Sequence, residues 1–320
     1  MKLLSINHLS KRYKEVFAVN DVSFSLNQDK CIALIGPNGA GKTTILRMIA
    51  GTLKPTSGQI SFVGQNKVID RRELIGYLPQ HPVFPGWMTG QEFLVYSGRL
   101  AHLSKQEALN RAERLLKKVG IDDARNRRIV QYSGGMKQRL GIAQAMIHQP
   151  KLLMLDEPVS ALDPLGRRDV LTLMEQLKEE MTILFSTHIL ADADEVSDEL
   201  LLLHRGELVE KGSLENLRNK YETTAIELEF SGKSDLFLPM IEQLPAVQSL
   251  TMKRQSIHLI VNNIQIARRE LLDLIMKNDW PLMNFQINRA SLEDMFMKVV
   301  RHESVDDIAT KRTTGKLAKL

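Results

Sequence analysis

The sequence predicts an α/β protein, a parallel sheet covered by helices, followed by a small α+β domain. Three observations lead there. The runs CIALIG at 31–36 and LLML at 152–155 are short and almost wholly apolar, the pattern of strands buried on both faces of a parallel sheet. Helix-period stretches separate these runs, and such alternation produces parallel strands joined by helical crossovers. Beyond residue 221 the order of elements changes, marking a second domain.

Along the chain, residues 3–30 read as strands and turns, with Val22, Phe24 and Leu26 alternating against Ser23 and Ser25. The strand at 31–36 ends in glycine, and a helix follows over Lys42 to Ala50. After the turn Pro55 to Gly58, Ile60 and Phe62 form an edge-type strand, and Leu74 to Leu78 another strand. From Thr89 to Gly120 the period becomes helical. Two capping-box pairs, Thr89 with Glu92 and Ser104 with Glu107, mark where helices begin. Helices are expected at 134–148 and 165–179, and strands at Leu152 to Leu155, Thr182 to Phe185 and Glu199 to Leu203. The second domain reads strand 223–230, helix 234–244, strands 247–252 and 256–261, helix 265–278, strand 282–287 and helix 291–300, which resembles the ferredoxin-like β-α-β-β-α-β split.

Composition excludes several classes. At 320 residues, with 43% hydrophobic and 25% charged, the chain has material for two globular domains and no collagenous or low-complexity character. The longest apolar runs are four or five residues, far below the roughly 20 that cross a bilayer. The N-terminus lacks the apolar block of a secretory signal, so a cytoplasmic protein is expected. Cys31 is the single cysteine and reads as a buried small side chain. The net charge of +5 is not gathered into one patch, and no nucleic-acid partner is expected. A basic tail at 301–320 reads as disordered.

GPNGAGKT, comprising Gly36, Pro37, Asn38, Gly39, Ala40, Gly41, Lys42 and Thr43, satisfies the phosphate-loop pattern between a predicted strand and a predicted helix, with Thr44 continuing it. Its glycines let backbone N–H groups curl around phosphates. Lys42 reaches the β- and γ-phosphates as a point charge, and Thr43 offers its hydroxyl to Mg²⁺ at the positive end of the helix. KLLMLDEP, Lys151 to Pro158, is an apolar strand ending in two carboxylates, where an α/β sheet opens onto its ligand crevice. Asp156 is suited to hold Mg²⁺. Glu157 is suited to orient or deprotonate the water that attacks the γ-phosphate of ATP.

YSGGMKQRLGIAQA, Tyr132 to Ala145, resembles the signature of ATP-binding-cassette (ABC) proteins, with Ser133 as a helix N-cap and Gly134 and Gly135 behind it. The family's remaining marks stand in order: Gln80 in YLPQH, Asp163 in SALDP and His188 in LFSTHIL, while Tyr13 in LSKRY matches its adenine-stacking aromatic. The resemblance covers residues 3–220. It implies a P-loop NTPase of ABC type, with a parallel sheet core, an antiparallel β-subdomain and a helical subdomain at about 85–150, plus a small α+β C-terminal domain at 221–300. It further implies an ATPase in which Gln80 joins the metal and nucleotide site to a membrane-spanning permease, His188 contacts the γ-phosphate, and Asp163 communicates across a dimer of cassettes. That dimer is a homodimer or a heterodimer. Ser133, Gly134 and Gly135 would then face a nucleotide held by the other subunit.

SGGM in place of the commoner SGGQ, and ASLEDMFMKVV closing the chain's second domain, are most like export-type ATPases of drug, antibiotic or polymer transporters. A regulatory or immunity role with little net transport is the alternative. Asp29 stands in a turn where the family often has glycine, a backbone region aspartate tolerates. After Gln80, Val83, Phe84, Trp87 and Met88 cluster among Pro82, Pro85 and Gly86, an apolar stretch suited to a protein contact. Such a contact would place the protein peripherally on the cytoplasmic face of the membrane, held there by the permease.

Overall fold

A computed structural model of the chain describes residues 1–63, 70–220, 225–232, 237–253, 256–288 and 292. The expected tail at 301–320 and most of the expected closing helix lie outside the described residues. The chain divides into two compact units between Leu214 and Glu215, a little before the expected 220/221.

The strands of the first unit are β1 (Lys2–Tyr13), β2 (Val16–Asn27), β3 (Cys31–Ile35), β4 (Ser57–Phe62), β5 (Ile75–Leu78), β6 (Leu152–Asp156), β7 (Thr182–Thr187), β8 (Glu199–His204) and β9 (Glu207–Ser213). Its helices are α1 (Lys42–Ile49), α2 (Gly90–Leu100), α3 (Lys105–Lys118), α4 (Gly134–Met146), α5 (Pro164–Leu177) and α6 (Leu190–Val196), and α7 (Leu214–Lys220) begins at the division. One sheet is antiparallel, in the order β2-β1-β4. The other runs β5-β6-β7-β3-β8-β9, parallel except for β9. Every residue of β3, β6 and β7 is buried, which is why β3 and β6 read as almost continuous apolar runs, whereas β7 also buries Thr182, Ser186 and Thr187. Cys31 is among them, and burial, aided by Asp198, pushes its thiol up to about 12. β9 is absent from the sequence reading because ELVEKGS is mostly polar, as an exposed edge strand can be.

The helical subdomain starts where the Thr89 capping box puts it: Thr89 Oγ1 accepts the Glu92 N–H at 3.2 Å, and Glu92 returns the bond to the Thr89 N–H at 2.8 Å. At Ser104 only half the box forms. Its hydroxyl accepts the Glu107 N–H, but the Glu107 carboxylate turns to Arg111 at 2.6 Å. In the apolar stretch before α2, Phe84 packs edge-on against Phe93, 5.3 Å between ring centroids, whereas Val83 is 92% and Trp87 72% exposed. Phe84 therefore joins the insertion's own packing and is half-buried, while Val83 and Trp87 present most of the apolar surface.

The second unit holds β10 (Ala225–Phe230), α8 (Leu238–Glu242), β11 (Val247–Lys253), β12 (Ser256–Val261), α9 (Ile264–Lys277) and β13 (Leu282–Asn288), in the sequence order expected. Its antiparallel sheet runs β11-β12-β10-β13, placing the first strand between the third and fourth as in ferredoxin-like folds. Alternate residues Ile226, Leu228 and Phe230 enter a core with Leu271 and Ile275 of α9. Phe230, Phe237 and Trp280 close one end, with centroids 4.5 to 5.9 Å apart.

The packing of α4 on β5 has little slack. A Cβ on Gly76 would lie 2.1 Å from the carbonyl oxygen of Ala145. Because that neighbour is helix backbone, relief requires α4 to move. Gly76→Ala is expected to cost about 2 kcal/mol, typical of overpacking, read as a lower urea midpoint at unchanged m-value.

Candidate nucleotide-binding and hydrolysis site

The loop from β3 to α1 is held by close backbone approach. A Cβ on Gly36 would lie 2.3 Å from the Leu203 carbonyl oxygen, and one on Gly41 2.4 Å from that of Ala18. Gly41 also has φ +104°, so glycine is required there twice over. As N-cap of α1, Gly41 offers no side chain to the first-turn N–H groups, leaving them free for an anion. Lys42 is buried and folds back, donating to the carbonyls of Gly36 at 2.7 Å and Pro37 at 3.2 Å. Burial lowers its pKa, and the nearby Glu157 works in the opposite direction. An uncapped helix end and a lysine curled over the loop fit a polyphosphate.

Asp156 closes β6 and is fully buried. Its Oδ1 accepts from the hydroxyls of Ser186 at 2.7 Å and Thr43 at 3.0 Å, and its Oδ2 from Tyr77 at 3.4 Å. The Tyr77 hydroxyl is pushed up to about 12, first by burial and then by Asp156. Glu157 follows with φ +49°. Its carboxylate lies 3.6 Å from Lys42 Nζ, accepts from Gln80 Nε2 at 3.3 Å, and lies 3.1 Å from His188 Nδ1. The cation, the amide and the imidazole foreseen from sequence thus meet on one buried carboxylate. Beside them is a cleft of about 520 Å³ lined by Asn38, Gly39, Ala40, Gly41, Thr43 and Thr44, together with Ala18 and Ser160. Thr43 and Asp156 offer adjacent oxygens, a donor set suited to Mg²⁺ bound chiefly through nucleotide phosphates and water. Among the described residues, no group of three or more His, Cys, Asp or Glu could hold a metal by itself.

Eight of the residues singled out from sequence do not line this cleft: Gly36, Pro37 and Asp156, which hydrogen-bond the lining residues Lys42 and Thr43, and Tyr13, Ser133, Gly134, Gly135 and Asp163. Tyr13 is half exposed at the end of β1, with Lys11 Nζ 5.2 Å from its ring centroid. Ser133 caps α4, accepting the Met136 N–H at 3.2 Å, and Asp163 caps α5, accepting the Gly166 N–H at 3.2 Å. These two helix starts adjoin each other, since a Cβ on Gly135 would reach Gly166 at 3.9 Å. Asp29, in the expected turn, has φ +55°. Sequence reasoning missed Tyr77, Ser160 and Ser186. The signal for Ser186 was a hydroxyl inside an otherwise apolar buried run, ILFS, two residues before His188.

Comparison with known proteins accords with this geometry. The ABC transporter family matches residues 19–160, and the C-terminal domain of DrrA1-3-like ATP-binding proteins matches 212–300. The chain is 46% identical to the ABC transporter ATP-binding protein YxlF of Bacillus subtilis, over 93% of this chain and 99% of that one. It is 30% identical to the bacitracin transport ATP-binding protein BcrA of Bacillus licheniformis, over 93% and 97% respectively. The dimeric post-hydrolysis structure of the ATP-binding cassette MJ0796 with ADP and Pi superposes with a TM-score of 0.60 at 26% identity, covering 66% of this chain and 99% of that one. Phosphate loop, paired carboxylates and near full-length likeness agree, and the chain belongs to the ABC transporter ATP-binding proteins.

Proposed function

We propose that this chain binds and hydrolyses ATP as one of two cassettes beneath a separate membrane-spanning permease, and that the transporter exports its cargo. The convergence of Lys42, Gln80 and His188 on Glu157, beside the uncapped start of α1, supports this reading most directly. The relative described as a bacitracin transport ATP-binding protein supports a transport role, and the reading of export rests on the resemblance of SGGM and ASLEDMFMKVV to export-type ATPases. No helix among the described residues is long and apolar enough to cross a membrane, in keeping with a peripheral subunit that depends on its permease.

Lys42 and Glu157 are buried counter-ions, and each compensates the other's loss of hydration. A triphosphate entering the loop recruits Lys42 to its β- and γ-oxygens and frees Glu157 to take a proton from the attacking water. Gln80 and His188 hold the carboxylate from the other side and orient it. Thr43 and Asp156 would hold Mg²⁺, which neutralises charge developing on the phosphates. Tyr13 stacks on the adenine. Glu157→Gln is expected to cut steady-state turnover about a hundredfold or more with ATP affinity near wild type. Turnover close to wild type in the purified protein would remove Glu157 as base.

Ser133, Gly134 and Gly135 stand beside Asp163 and not at the cleft, so their natural target is a nucleotide on a second cassette, and each site needs two chains. For a homodimer, mixing Lys42→Ala with Ser133→Arg chains leaves one intact composite site. The mixture should regain ATPase activity that neither variant has alone; no regain counts against composite sites.

Trp87 and Val83, exposed on the stretch that follows Gln80 in the chain, offer the permease an apolar anchor, so that movement of Gln80 on nucleotide binding would be passed along that stretch to the contact. Trp87→Ala should weaken association with the permease by about 2 kcal/mol while nucleotide affinity of the isolated chain is unchanged. A paired pull-down and nucleotide titration decides it: unchanged association excludes Trp87 from the interface.

A further inference from the structure

Ser186 lies within LFSTHIL, where the sequence singled out only His188, yet its hydroxyl lies between the two carboxylate residues of the site. Parallel pairing of β6 with β7 sets it opposite Asp156. Its Oγ donates to Asp156 Oδ1 at 2.7 Å and accepts the Glu157 N–H at 2.9 Å. The same N–H also reaches the Ser186 carbonyl at 3.2 Å. On the other side of Glu157, its carbonyl accepts from the Ser160 hydroxyl at 3.2 Å and the Ser160 N–H at 3.3 Å. Both flanks of one residue are clamped.

The clamped residue is strained. With φ at +49°, Glu157 occupies the left-handed region, which a glutamate adopts only against a steric cost. Such conformations persist where surrounding bonds over-determine them. The chain leaving β6 turns sharply at this residue, and the carboxylate comes to rest against Lys42, Gln80 and His188. A residue without a hydroxyl at 186 would keep the β6–β7 ladder and lose both side-chain bonds.

We infer that Ser186 is a positioning residue, whose hydroxyl holds Glu157 in its left-handed conformation and so aims the Glu157 carboxylate into the cleft. Its catalytic consequence rests on the base role proposed for Glu157, while the conformational lock itself does not.

Two measurements on the purified full-length chain test it. Ser186→Ala should lower kcat about tenfold while KM for ATP stays within about twofold, the pattern of a lost transition-state arrangement and not of lost binding. The second is a melting cycle with Glu157→Gly, which relieves the strain because glycine takes positive φ freely. Ser186→Ala should lower the melting temperature by about 4 °C in the wild-type background, and by clearly less in the Glu157→Gly background, where there is no strain left to hold. An unchanged kcat, a rise in KM matching the fall in kcat, or equal melting losses in the two backgrounds would overturn the assignment. If Glu157 is not the base, Glu157→Gln keeps its turnover, and the melting cycle still reads the lock.

Discussion

Two backbone carbonyls, those of Ala18 and Leu203, stand so close to the loop after β3 that any side chain at Gly41 or Gly36 would run into them. Ala18 belongs to the antiparallel sheet and Leu203 to the parallel one, so this double approach sets where the loop lies against both. The start of α1 follows from it, and with it the positions of Lys42 and Thr43. A larger residue at either glycine would force backbone apart from backbone, which no rotamer change can relieve.

Around that fixed loop the site is organised by the need to bury charge safely. Lys42, Asp156 and Glu157 are all nearly inaccessible to water. An unpaired ion at this depth would cost several kcal/mol. The polar residues beside them meet that demand: hydroxyls of Thr43, Ser186 and Tyr77 on Asp156, and Lys42, Gln80 and His188 around Glu157. On the proposed reading, the side chains that neutralise the resting site would also be the ones that act when phosphates arrive. Stability and readiness for chemistry therefore draw on the same contacts.

Much of this was legible in the sequence because its physics is local. Apolar runs announced β3 and β6, the Thr89 capping box announced α2, and the phosphate loop announced the helix that bears Lys42. The fate of Phe84 was not legible, since edge-on packing against Phe93 depends on where α2 comes to rest. Glu107 illustrates the same limit at short range: its spacing fits a capping box, yet a guanidinium one turn on competes for the carboxylate and wins. Ser186 and Tyr77 escaped notice for a related reason. Each meets Asp156 through the lateral order of strands, which motif spacing along the chain does not encode.

The six-stranded sheet ends on one side in β5, only four residues long, and on the other in β9, which carries Glu207, Glu210 and Lys211. A brief edge and a charged edge are both poor templates for stray strands. At both its ends, this sheet thus gives a passing strand of another chain little to zip onto.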